Sequence, residues 1–308
     1  MTYKILSLDG GGIRGVIPAR FLERLENSTG KSIYDLFDLI CGTSTGGLIA
    51  LHIAANNASG ANCVDLYNPE NAAKIMYKSL FDKILPIQNK PKYDGEGKRE
   101  FLQQIFGDKR LLDVKENVLI TSFDIVSRES VIFKSFGGND SKHNPKVAEV
   151  ADATSAAPTF FPTISTESLP RRWLIDGGFA ANDPAMCGIS EALKIGYKTN
   201  EIKLLSIGTG ILRKGFKNPE KYGESSKKWG GIGWLNNGLV DNLFAGNSST
   251  TQYFSKQILG KNYLRIDGEL INCADELDDV SPKNIENLKF LGDNLFSKLG
   301  HKAKSALT

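Results

Sequence analysis

The sequence predicts an α/β fold of three layers, α/β/α, around a central and mostly parallel sheet. Three observations predict it. Short apolar runs alternate with amphipathic helical stretches along the chain. Several of these runs are apolar throughout, as strands covered on both faces must be. Polar, glycine-rich turns follow the runs at 9–15, 42–47 and 176–178, and ligand sites of such sheets lie beyond the carboxyl ends of strands.

The elements follow in order. Residues 3–8 read as a first strand, and 9–15 carry too much glycine for a regular element. A helix follows with Ile17, Phe21, Leu22 and Leu25 on one face. The second strand spans about 37–41, and 48–54 read as a helix. Helical pattern covers much of 64–85. Residues 86–98, with their prolines, glycines and lysines, read as a mobile loop before a short helix at 99–106. Residues 118–125 and 130–133 are β-branched and aromatic, hence strands. A small-residue helix at 145–157 stops at Pro158. Residues 173–175 form a strand ending at Asp176. Residues 184–195 read as a helix with proline in its first turn. Strands at 202–207 and 263–266 and a terminal helix at 282–299 complete the pattern, and the lysine-bearing tail is expected to fray. There is no internal repeat and no domain boundary. The reading is one domain over 1–308, with a motif core at 3–210 and a cap and helical C-terminal part at 211–308.

Composition bounds the function. The chain has 308 residues, 41% hydrophobic and 24% charged, with a formal net charge of +3. The charge is slight and scattered, so no nucleic acid partner is expected. Cys41, Cys63, Cys187 and Cys273 are widely spaced, which suits free thiols in a reducing compartment better than disulfides or zinc. No run approaches the ~20 apolar residues of a membrane span, and no leader is legible ahead of the first strand. The expectation is a cytoplasmic protein that visits membrane surfaces, with leader-independent export left open.

The chemistry is concentrated in Gly42-Thr43-Ser44-Thr45-Gly46, a G-x-S-x-G string between a strand and a helix. Such an elbow strains the serine backbone and exposes Oγ, while the helix aims its N-terminal amides at it. Ser44 is therefore the candidate nucleophile. A P-loop is excluded because Leu48 follows Gly47 where lysine is required.

Gly10-Gly11-Gly12-Ile13-Arg14-Gly15 also fits the dinucleotide fingerprint G-x-G-x-x-G. That use needs an acid at the carboxyl end of the second strand. Asp35 and Asp38 precede the strand instead, and Ser44 occupies its end. The other use is an oxyanion hole, with bare amides of Gly10, Gly11 and Gly12 facing the charge that acyl transfer creates. Arg14 reads equally as a fixed charge near that site and as a salt-bridged residue at a helix start.

Ser44 needs a base. His52 lies two helical turns away, ~12 Å along the axis, and reads as a packing residue. His143 lies in a polar loop. His301 would complete the order Ser44, Asp176, His301 of a Ser–His–Asp esterase, but from a frayed tail. Asp176 is the better candidate, since a carboxylate in a dry cleft has its pKa raised toward working pH.

Together these boxes resemble the patatin-like phospholipases, which share a Ser–Asp dyad with the cytosolic phospholipases A2. Residues 9–15 match the family's D-G-G-G-x-R-G loop, 42–47 its G-T-S-T-G-G elbow and 176–178 its D-G-[GA] box. Fainter echoes lie at 157–162, 182–185 and 208–210. The resemblance implies that Ser44 is the nucleophile, Asp176 its base, and Gly10, Gly11 and Gly12, with Arg14 and Gly15, the oxyanion-binding loop. It implies hydrolysis of phospholipids or other acyl lipids, with neither metal nor cofactor, and it leaves a small nucleotide activator compatible. The alternatives are the His301 esterase and a non-catalytic nucleotide- or lipid-binding effector. In 212–254, Phe216, Trp229, Trp234, Leu235, Leu239, Leu243 and Phe244 are interleaved with lysines and glycines. The segment is read as a cap on the cleft, a membrane contact, or plain cover over the sheet.

Overall fold

The computed structural model describes residues 2–76, 90–137, 144–166, 168–211 and 218–307. In chain order the main elements are β1 (Tyr3–Leu8), α1 (Val16–Thr29), β2 (Leu39–Gly42), α2 (Thr45–Asn56), α3 (Glu96–Phe106), β3 (Val118–Asp124), β4 (Glu129–Lys134), α4 (Val147–Thr154), β5 (Ile164–Thr166), β6 (Leu169–Asp176), α5 (Ala185–Lys194), β7 (Ile202–Ile207), α6 (Leu239–Leu259), β8 (Tyr263–Ile266) and α7 (Pro282–Leu307). Of the helical pattern expected over 64–85, the described part holds the end of a helix at Gly60–Asp65 and the helix Pro69–Ile75, and 77–85 lie outside the described residues.

The strands form one mixed sheet in the order β5-β6-β3-β2-β1-β7-β8, with β4 also paired to β3. The run β3-β2-β1-β7-β8 is parallel throughout. Alternation along the strands divides the core. Ile5, Leu39, Cys41, Leu119 and Leu204 face α5 and the end of α6, where Ile189 and Leu259 are buried. Leu6, Leu8, Ile40 and Ile120 face the opposite layer, with Phe21 of α1, Ile49 of α2 and Leu288 of α7. The segment after 210 adds β8 to the sheet edge and α7 to the layer beside α1.

Three points of the fold add to the expectations or correct them. The first is the direction of β6, which a mostly parallel pattern left open. It runs antiparallel to β3, with Asp176 opposite Ser122 and Leu174 opposite Asp124. β2 pairs with β3 at Val118–Ile120 and ends with Gly42 opposite Ile120. β4 holds the other edge of β3 along Leu119–Asp124, so β2 and β6 share one edge and meet head-on at Thr121. Asp176 thus reaches the rim by approaching β2 from the far side, whereas Asp9 and Ser44 follow parallel strands.

The second is a correction to the start of α3, which opens at Glu96. Gly95 adopts φ +79° and Asp94 Oδ1 accepts the Glu96 amide, so helix begins three residues before 99. Lys98, expected in a mobile loop, is instead a buried residue of the first helical turn. The third is the C-terminus. α7 continues to Leu307 because Ala303 and Leu307 extend its apolar stripe into the core. Part of 86–98, His143 and Phe216 lie outside the described residues.

Candidate active site

β2 ends at Gly42, and α2 starts at Thr45. The connection is two residues long, Thr43 and Ser44, and Ser44 takes φ 53°, ψ −124°. For a residue with a Cβ that conformation costs about 1–3 kcal/mol, and it aims Oγ off the sheet end. The glycines beside it are required by proximity. A Cβ on Gly46 would lie 2.2 Å from the Leu8 carbonyl oxygen, and one on Gly42 2.4 Å from that of Gly46. Thr43 Oγ1 donates to the Ala181 carbonyl at 2.6 Å and lies 2.7 Å from Thr121 Oγ1, so the elbow is tied to the strand that both approaching chains share. Thr45 Oγ1 is hydrogen-bonded to the Tyr67 hydroxyl.

Ser44 Oγ lies 2.6 Å from Asp176 Oδ2. The other oxygen, Oδ1, accepts the Gly178 amide at 2.7 Å, which fixes the carboxylate plane. Burial raises the Asp176 pKa, and the bonds from Ser44 and Gly178 and the charge of Lys98 draw it back, to about 6. At neutral pH the carboxylate is mostly ionised yet more basic than a surface aspartate.

Gly11 and Gly12 line the cleft that holds Ser44 and Asp176, and their amides have no acceptor among the described residues. Gly12 has φ +57°, and a Cβ there would meet the Leu277 carbonyl. The Gly10 amide is different, since it donates to the Asn182 carbonyl at 3.1 Å. Gly15 packs against Thr45 and Tyr67 and does not line the cleft. Arg14 is buried behind the loop, its guanidinium 3.9 Å from the Asp241 carboxylate, and lines an adjoining cavity with Asn182, Ser248 and Gln252.

What anchors the loop is a residue that sequence reading did not single out. Arg265 on β8 grips Asp9 with two bonds, Nη1–Oδ1 at 2.9 Å and Nη2–Oδ2 at 2.6 Å, and also meets Asp267 and Asp183. Asp183 in turn accepts from Ser7 and Ser206. Arg265 follows Leu264 in a short apolar strand and precedes Asp267-Gly268, the only hint in the sequence that it is engaged.

The cleft encloses about 720 Å³ of empty space, counted with its open mouth. Leu48, Ile75, Phe160, Phe161, Phe244 and Val280 make its wall apolar. Of the histidines, His52 is bonded to Asn56 and stacked edge-on to Phe106; burial and Lys109 lower its pKa to about 4. His301 is exposed on α7, and neither lines the cleft. Asp38 accepts the Lys4 amide at the start of β1, the end of the sheet away from Ser44. In the 218–254 region Trp229 and Trp234 pack edge to face, Ile232 is exposed, and Phe244 reaches the cleft. No helix among the described residues is long and apolar enough to cross a membrane.

The site thus sets the hydroxyl of a strained serine against a buried carboxylate at the base of an apolar cleft, an arrangement that can deprotonate the hydroxyl beside an apolar ligand. Comparison with known proteins narrows this. The model of the patatin-like phospholipases matches residues 6–187. Patatin-like protein 3 of Arabidopsis thaliana is 33% identical over 96% of this chain and 80% of its own length. Patatin-08 of Solanum tuberosum is 34% identical over 96% and 84%. Among solved structures, human GIVD cytosolic phospholipase A2 in complex with methyl γ-linolenyl fluorophosphonate shares the fold, with TM-score 0.51 at 11% identity over 99% of this chain and 58% of that one. The chain belongs to the patatin-like phospholipase family.

Proposed function

We propose that this protein hydrolyses fatty-acyl esters of phospholipids or related lipids through an acyl-serine, as a carboxylic-ester hydrolase. The observation that carries the reading is the 2.6 Å bond between Ser44 Oγ and Asp176 Oδ2 at the base of an apolar cleft. Ser44 attacks the ester carbonyl as its proton passes to Asp176 Oδ2, while the Gly178 amide holds Oδ1. The amides of Gly11 and Gly12 face the oxyanion; one such donor is worth about 3–4 kcal/mol of barrier. Collapse of the tetrahedral species releases the lysolipid alcohol, which takes the proton from Asp176. Water, activated by the same carboxylate, then frees the fatty acid. The Gly10 amide takes no part because the Asn182 carbonyl already holds it. The apolar wall suits an acyl chain, and the exposed Ile232 and Trp234 suit transient contact with the lipid surface that presents it.

The test is labelling with a long-chain fluorophosphonate, the reagent type in complex with the human phospholipase of the same fold. A single adduct on the Ser44 peptide, absent in Ser44→Ala, is expected by peptide mass spectrometry. An unlabelled wild-type protein would favour a non-catalytic lipid-binding effector. Fatty acids and lysolipids released from a mixed lipid extract, with Ser44→Ala as control, would name the headgroup. Because His301 is exposed and away from the cleft, His301→Ala is expected to keep its activity within about twofold. A thousandfold loss would instead restore the Ser–His–Asp reading.

A further inference from the structure

Lys98 is 1% exposed, and its ammonium sits against the cleft wall. Nζ lies 2.9 Å from Asp152 Oδ1, 3.2 Å from the Asp152 carbonyl, 3.2 Å from the Ser155 carbonyl and 3.3 Å from Ser155 Oγ. It also stands 4.2 Å from the centre of the Phe161 ring. The lysine thus closes the C-terminal end of α4, where the helix leaves carbonyls unpaired.

That helix end is also where both reacting residues are hung. The Ser44 amide donates to Thr154 Oγ1 at 2.9 Å. The Asp176 amide donates to the Ala156 carbonyl at 3.0 Å, and the Gly177 amide to the Thr154 carbonyl at 3.3 Å. The turn 152–156 is therefore one bracket carrying the nucleophile and the base, and Lys98 grips it on both sides of Thr154. A buried ammonium is an expensive way to cap a helix, since an apolar residue of similar length would lose no hydration there.

We infer that Lys98 is a positioning residue of the Ser44–Asp176 pair: it clamps the turn from which both hang and places its ammonium on the cleft that Asp176 also lines. The inference rests on the dyad reading above and deepens it. Asp176 is faced by the Ser44 hydroxyl from the elbow, by the Gly178 amide from its own turn and by Lys98 from α3. Lys98 is faced by Asp152 from α4, Asp176 from β6 and Arg99 from its own helix. Tyr67, on the same cleft, is kept protonated by burial. The Lys98 charge lowers the Asp176 pKa, so its removal raises that pKa and moves the acidic limb of activity to higher pH.

The experiment measures kcat and KM for p-nitrophenyl butyrate from pH 5 to 9 in wild type, Lys98→Gln, Lys98→Met and Lys98→Arg, with folding checked by thermal melting. In Lys98→Gln the acidic limb of kcat is expected to rise by about one pH unit. At pH 5 kcat should then fall about tenfold, recovering to within about threefold at pH 9, with KM changed less than about twofold. Lys98→Arg should hold the limb within about 0.3 unit of wild type. Lys98→Met, read in the same way, carries the test if Lys98→Gln does not fold. A loss equal at all pH values with an unmoved limb, or an unaltered profile, would overturn the inference. Asp176→Asn in the same assay separates the two readings. If it is fully active, the dyad itself fails. If it is inactive while the Lys98→Gln limb stays in place, only the role of Lys98 fails.

Discussion

Asp176→Asn is expected to lower kcat for a short soluble ester by about a thousandfold or more while the protein stays folded. The amide keeps the size of the carboxylate and can still accept the Gly178 amide, so the turn at 176–178 is preserved. What it cannot do is take a proton from Ser44. Stability should move the other way. The folded-state pKa of Asp176, about 6, lies above the ordinary carboxylate value. Between these values the folded protein binds more proton than the unfolded chain, so this group's contribution to stability is present at low pH and is lost as pH rises through about 6. Asp176→Asn should remove that slope, and above pH 6 its melting temperature should equal or exceed that of the wild type. Steady-state kinetics and melting curves from pH 4 to 8 check both halves. A variant that is active, or one that is inactive because it has unfolded, would contradict the expectation.

The second large effect is expected at Arg265. This guanidinium is the shared partner of Asp9, Asp183 and Asp267, and all four groups are mostly or wholly buried. Removing one member of a buried ionic cluster leaves the others without compensation, at about 3–5 kcal/mol. Arg265→Ala should therefore lower the denaturation free energy by about that amount in urea titrations. Any folded fraction should also lose activity, because Asp9 is the residue from which the glycine loop departs. Arg265→Lys, which keeps charge but not the two-pronged grip, is expected to recover part of the stability. An Arg265→Ala protein as stable as the wild type would show that the cluster is not the anchor of the loop.

The alternation of apolar runs and helical stretches made the layers legible, and β1, β7 and β8 lie where the pattern placed them. The elbow was legible because its glycines answer to a local demand, the approach of β2, α2 and the Leu8 carbonyl within a few residues. The direction of β6 was not, because an apolar strand reads alike in either sense and its partner lies some fifty residues earlier. Lys98 was hidden for a related reason. A run of prolines, glycines and lysines looks solvated, and only the tertiary fold reveals that one of those lysines points inward at Asp152. Arg265 and Asp9 are separated by most of the chain. Local pattern encodes what neighbours in sequence need from each other, whereas ion pairs across the fold leave no periodic trace.

β2 and β6 press toward each other along one side of β3, which acts as a ruler between them. Because a strand advances about 3.3 Å per residue and turns its side chains over at each step, their separation can change only in coarse increments. A slip of one residue in either strand would carry the hydroxyl or the carboxylate out of bonding range and onto the wrong face. Gradual adjustment of the two groups by register is thus closed to this architecture. Variation in activity among such proteins should arise in the turns that flank the junction and in the walls around it, while the span of β3 between its two partners stays invariant.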